Sequence, residues 1–114
     1  VTDMYWMFAS SEFNGDISKW DVRNVTDIYS MFFNSQFNGD ISKWNVRNVT
    51  NMSYMFFNSK FNGDISKWKL NKNVNADNMF KNSKTFKGIT TFRDYLKAQP
   101  LTKNLGFLKD FAEL

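Results

Sequence analysis

Three kinds of reactive side chain recur together along the chain. A carboxylate, a hydroxyl and an amine stand at Asp16, Ser18 and Lys19, again at Asp40, Ser42 and Lys43, and again at Asp64, Ser66 and Lys67. Such groups can serve hydrolysis, and a carboxylate after Asn-Gly can ligate calcium. Catalysis, however, needs one asymmetric constellation with shifted pKa values, and these groups repeat unchanged. Calcium takes about six to eight oxygens, which one carboxylate beside a lysine supplies poorly. Hydrogen bonding within a turn is the ordinary role of an Asx residue here. The chain also contains no cysteine and no histidine. That excludes a disulfide framework, a thiolate or imidazole metal site and a His-dependent triad within it. No enzyme activity, cofactor or metal is expected.

The lysines belong to a second pattern. Lys19, Asp21 and Arg23 alternate with apolar neighbours, as do Lys43, Asn45 and Arg47, and then Lys67, Lys69 and Asn71. If the apolar neighbours point inward, these nine residues share an outer face with a charge of +5, while the whole chain carries only +4. Like charges stacked at strand spacing repel unless something answers them. Asp16, Asp40 and Asp64 can do so from the side. Lys19, Arg23, Lys43, Arg47, Lys67 and Lys69 are therefore the candidate ligand-binding residues. They suit a protein or an acidic glycan. Nucleic acid is disfavoured because the face offers no regular exposed aromatic for base stacking. The plainer reading is a solvated ladder that keeps the surface soluble.

What must position these residues is a repeat. Phe37 to Lys60 matches Phe13 to Gln36 at a shift of 24 and Phe61 to Lys84 with more changes, and Val1 to Glu12 is a half copy. A fixed period of this length marks stacked units that cannot bury their apolar faces alone. Trp20-x-Val22 has the two-residue period of a short strand. From Val25 the spacing of Ile28, Met31 and Phe32 becomes helical, with Thr26 and Thr50 as candidate N-caps. The Asn-Gly pairs at 14–15, 38–39 and 62–63 are turn signals that call for permissive backbone angles. Stacking puts Trp20, Trp44 and Trp68 in one column and Met31, Met55 and Met79 in another. Each indole buries roughly 150–250 Å², or about 4–6 kcal/mol gross. In the third copy a one-residue slip returns Val74 to the apolar role.

The recurring Phe-Asn-Gly-Asp-Ile-Ser-Lys-Trp-Asp-Val-Arg-Asn-Val-Thr-Asp at 13–27 resembles the BspA-like leucine-rich-repeat proteins, including mycoplasma surface lipoprotein repeats. The resemblance runs from Val1 to about Gly88 and weakens at Lys69 to Asp77. It implies a surface-exposed repeat protein associated with adhesion or host contact, and it supplies no catalytic residues. The expected fold is thus an α/β solenoid, a right-handed leucine-rich-repeat-like stack of short parallel strands and helical turns over residues 1–88. Residues 89–114, with helical patterns at 90–98 and 101–114 broken at Pro100, are expected to form a helical carboxy-terminal cap.

On the side opposite the basic face, Trp6, Tyr29, Phe33, Tyr54 and Phe57 occupy positions outside the core pattern and are candidates for a protein contact. They give the alternative function: a structural assembly component, such as a virion or surface-layer building block. Val1 opens inside a repeat, so other parts of a longer chain or neighbouring subunits are expected partners. No apolar run approaches the roughly 20 residues of a transmembrane helix. A cell-surface or secreted location is expected, or a virion in the alternative.

Overall fold

The computed structural model of the chain describes residues 2–83. The expected cap at 89–114 lies outside the described residues. Those described form successive layers of 24 residues, so that Asp3, Asp27, Asn51 and Asn75 meet in parallel bridges one layer to the next.

Each layer contains a chain of tight turns that also bonds to the following layer. The N–H groups of Ile28, Ser30, Phe32 and Asn34 donate to the carbonyls of Asn51, Ser53, Met55 and Phe57 at 2.8–3.0 Å. Between them, the N–H groups of Met31, Phe33 and Ser35 turn back to Ile28, Ser30 and Phe32, and that of Tyr29 to the Asp27 carboxylate. The same alternation recurs at Met52 to Ser59, and it begins in the half copy at Met4 to Ser11. From Ile28 to Ser35 and from Met52 to Ser59, every backbone N–H thus has a partner, alternately across layers and within one, as burial demands.

This arrangement overturns the expected α/β solenoid. Among the described residues there is no helix, and strand pairing is confined to isolated bridges. The helical spacing at Val25, Ile28, Met31 and Phe32 is real, and all four are buried. What produces it is a run of turns. Ser30 and Asn34 take φ values of 54° and 53°, as Tyr54 and Asn58 do at 57° and 52° in the next layer. Each stands third in a four-residue turn, where a type II geometry requires a positive φ. Left-handed residues at such intervals break both a helix and an extended strand. Thr26 and Thr50 consequently cap nothing; their hydroxyls donate to the carbonyls of Thr2 and Thr26 one layer earlier.

The Trp-x-Val segment is not a strand either. Trp44 and Val49 donate their N–H groups back to Ile41 and Val46, closing two turns in succession. Side chains join the layers here instead of a backbone ladder. The indole N–H of Trp44 donates to the Ile17 carbonyl at 3.1 Å, and that of Trp68 to the Ile41 carbonyl at 2.9 Å. The side-chain amides of Asn48 and Asn71 donate to the carbonyls of Arg23 and Arg47. Trp44 and Trp68 are buried, whereas Trp20, in the first layer, is 41% exposed. Met31, Met55 and Met79 are buried as a column.

Phenylalanines supply the rest of the spine. Phe8, Phe32, Phe56 and Phe80 stack ring on ring at 5.7, 5.6 and 5.2 Å, with planes within 9° of parallel. Phe13, Phe37 and Phe61 form a second stack at 6.3 Å spacing. The two lock together within each layer, as at Phe32–Phe37 and Phe56–Phe61. The glycines of the Asn-Gly pairs adopt no positive φ. Their hydrogen side chain is needed because the ring two residues back folds over them: a Cβ on Gly39 would stand 2.8 Å from Phe37. In the third copy Val74 is buried and Asn73 exposed. The slip is absorbed at Asn75, which donates its N–H to Thr50 and pairs with Asn51.

Candidate functional site

The double-turn segment around Trp44 holds its apolar residues in the core and turns the intervening residues to solvent. Ile41, Trp44, Val46 and Val49 are buried, and Lys43, Asn45 and Arg47 are exposed. Asx residues set the turns. Asn45 Oδ1 accepts the Arg47 N–H, as Asp21 Oδ1 accepts the Arg23 N–H, both at 3.2 Å. Asp40 Oδ1 accepts both the N–H and the hydroxyl of Ser42, at 2.9 and 2.7 Å. Asp64 binds Ser66 in the same way. The hydroxyls of Ser18 and Ser66 are the first reason that the Asp16 and Asp64 carboxyls are held below their ordinary range; at Asp40 the Ser42 N–H leads. The lysines three residues on add a smaller pull in the same direction.

All six basic candidates, Lys19, Arg23, Lys43, Arg47, Lys67 and Lys69, are exposed. The structure does not treat them alike. Arg23 is spent on Asp21, its Nε 3.2 Å from the carboxylate. Lys43, Arg47, Lys67 and Lys69 instead line one open cavity of about 450 Å³, together with Ser42, Trp44, Asn45 and Val46. None of these four cations forms an ion pair with a described residue. Asp40 and Asp64 are absent from the lining. The cavity therefore presents four cations, one amide and one hydroxyl over an apolar floor. Its charge can attract an anionic group, and the one hydroxyl in its lining, that of Ser42, donates to Asp40 at 2.7 Å. Asn45 was legible in the sequence as an outward neighbour of Lys43 and Arg47, and Ser42 as one of the recurring hydroxyls; their part in the cavity shows when the second and third layers are stacked.

The aromatic candidates also come together. Trp6 meets Tyr29 and Phe33 at 5.7 and 5.4 Å, Tyr29 meets Tyr54 at 6.0 Å, and Phe33 stacks on Phe57 at 4.9 Å. Tyr54 closes the cluster on Phe57 at 5.6 Å. Much of this surface is thus consumed by packing between layers: the last four rings are partly buried, and Trp6 is 47% exposed. The following layer has Asn78 and Lys81 where Tyr54 and Phe57 stand, so the aromatic row stops there. A separate apolar cavity of about 340 Å³ lies at the first layer among Met4, Met7, Trp20, Asp21, Val22 and Val25.

Among the described residues no group of acidic side chains is arranged to hold a metal ion, and no helix is long and apolar enough to cross a membrane. No curated protein and no solved structure shows significant similarity to the chain. The family model described as "Mycoplasma protein of unknown function, DUF285" matches residues 1–93. That match covers well over half of the 114 residues, and the chain belongs to the DUF285 family.

Proposed function

We propose that this protein is a non-catalytic binding or adhesion module that takes an anionic ligand or an acidic protein surface on its basic face. The observation that carries this reading is the cavity in which Lys43, Arg47, Lys67 and Lys69 converge without a salt bridge. Four such cations on one concave surface raise the local potential and draw in an anion. A cell-surface or secreted location belongs to the same proposal. Its support is the likeness to BspA-like repeats and the relation of the DUF285 family to such surface repeat proteins.

Charge reversal tests it. Lys43→Glu with Lys67→Glu should reduce binding to immobilised polyanion at least tenfold, and wild-type binding should weaken as salt rises. Both side chains are exposed, so the fold should tolerate the change. A second reading, assembly through the aromatic face, draws on the exposure of Tyr5, Trp6 and Met7 beside the ring cluster. It predicts that Phe33→Ser with Phe57→Ser would abolish self-association in sedimentation while the lysine variant self-associates normally.

A further inference from the structure

The basic face is not uniform from layer to layer, and one position accounts for the difference. Asp21, Asn45 and Lys69 are equivalent in the 24-residue period, while the cations beside them, Lys19, Lys43 and Lys67, do not change. In the first layer Asp21 neutralises Arg23. In the second, Asn45 makes the same turn hydrogen bond to the following N–H but has no charge with which to hold Arg47. In the third, the position is itself a cation. Charge at this one site thus runs from negative through neutral to positive. The cavity of about 450 Å³ lies where the carboxylate is missing, across the second and third layers.

We propose that this cavity is a site for a sulfated glycan, and that the residue at the 21/45/69 position decides which pair of layers binds it. The inference rests on the anion-binding reading of the basic face and adds its ligand class and its specificity determinant. Size comes first. Small-molecule sites occupy roughly 300–1,000 Å³, whereas a specific protein partner needs a surface on the order of 800 Å² on each side. Charge comes second. Lys43, Arg47, Lys67 and Lys69 ask for several permanent negative charges in a small space. A sugar carrying several sulfates provides them; a sialylated sugar brings one carboxylate.

The cavity's hydrogen bonding agrees. Three of its backbone N–H groups are committed inside the turns: Ser42 N–H to Asp40, Trp44 N–H to Ile41 and Arg47 N–H to Asn45. The lining residues form no strand whose edge an acidic peptide could extend. Asn45 still has its side-chain N–H groups, and Ser42 its oxygen lone pairs, to offer to sugar hydroxyls. Trp44 is 4% exposed and gives a nucleic-acid base no face to stack on.

Isothermal titration of the whole chain with a heparin tetrasaccharide tests the proposal, with its desulfated form, sialyllactose and hexaglutamate as comparisons. The sulfated sugar should bind the wild-type chain and the others should bind at least tenfold more weakly. Asn45→Asp, which gives Arg47 the partner that Arg23 already has, should cut affinity at least tenfold. Asp21→Asn, which frees Arg23 beside Lys19, Lys43 and Arg47, should raise affinity for a heparin octasaccharide threefold or more. If Lys43→Glu with Lys67→Glu abolishes binding but Asn45→Asp and Asp21→Asn change nothing, the determinant is wrong and the basic-face reading stands. If hexaglutamate binds as well as the sulfated sugar, the ligand class is wrong. If no variant alters any binding, the reading beneath both is wrong as well.

Discussion

At the level of single residues, the layers depend on side chains that repeat because each must fit against its own copy. Gly39 and Gly63 are the sharpest case. A methyl group on either would lie within 2.8 Å of the ring of Phe37 or Phe61, and both rings are fully buried against stacked neighbours. Gly39→Ala or Gly63→Ala should therefore cost about 1–3 kcal/mol of unfolding free energy, as overpacking does. Gly15→Ala meets Phe13 at the same 2.8 Å, but that ring is 36% exposed and can swing aside. Urea unfolding of the three variants should show a much smaller loss for Gly15→Ala. Equal losses at all three would mean that the glycines are required for some other reason. The Asn-Gly pairs did not mark turns: none forms at 14–15, 38–39 or 62–63, and no glycine there has a positive φ. The overlying ring is what calls for glycine, and nothing in an Asn-Gly pair distinguishes that from a turn.

At the level of elements, the 24-residue period, the buried Ile, Val and Met positions and the outward lysines were all legible in the order of residues alone. The secondary structure was not. A period of two over Trp20-x-Val22 and a period of three and four from Val25 to Phe32 are too short to separate strands and helices from chained turns. Asn34 and Asn58 hinted at left-handed backbone, since asparagine tolerates it. Trp6 and Tyr54 gave no such hint, because a bulky side chain at φ of 59° or 57° is an outlier that only the surrounding layers can enforce. The Asx turns at Asp16, Asp40 and Asp64 make a prediction of their own. Each carboxyl is held below its ordinary 3.8 by the serine two residues on, so folding favours the ionised form. The resulting stabilisation is complete above pH 3.8 and is lost as pH falls through the lowered values. The urea midpoint should begin to fall as the pH drops to 3.8 and keep falling below it. The triple variant Asp16→Asn, Asp40→Asn and Asp64→Asn, which keeps the turn acceptor without its charge, should show a smaller drop. An identical pH profile in the variant would remove these turns from the acid response.

At the level of the whole molecule, stacked turns convert small differences between repeats into a difference of surface. The core columns of Phe, Met and Trp hold successive layers in register, so a substitution at one outward position changes charge at one height of the stack and leaves the scaffold intact. Asp21, Asn45 and Lys69 illustrate this: Arg23 is neutralised in the first layer, and the cations of the second and third are left open around one cavity. The most direct measurement is a nitrogen-15 amide NMR titration of the chain with the heparin tetrasaccharide. Shifts concentrated between Ser42 and Arg47 and at Lys67 to Lys69, saturating together and weakening with salt, are the predicted result. Shifts centred on Trp6, Tyr29 and Tyr54, or spread evenly over every lysine of the surface, would contradict it.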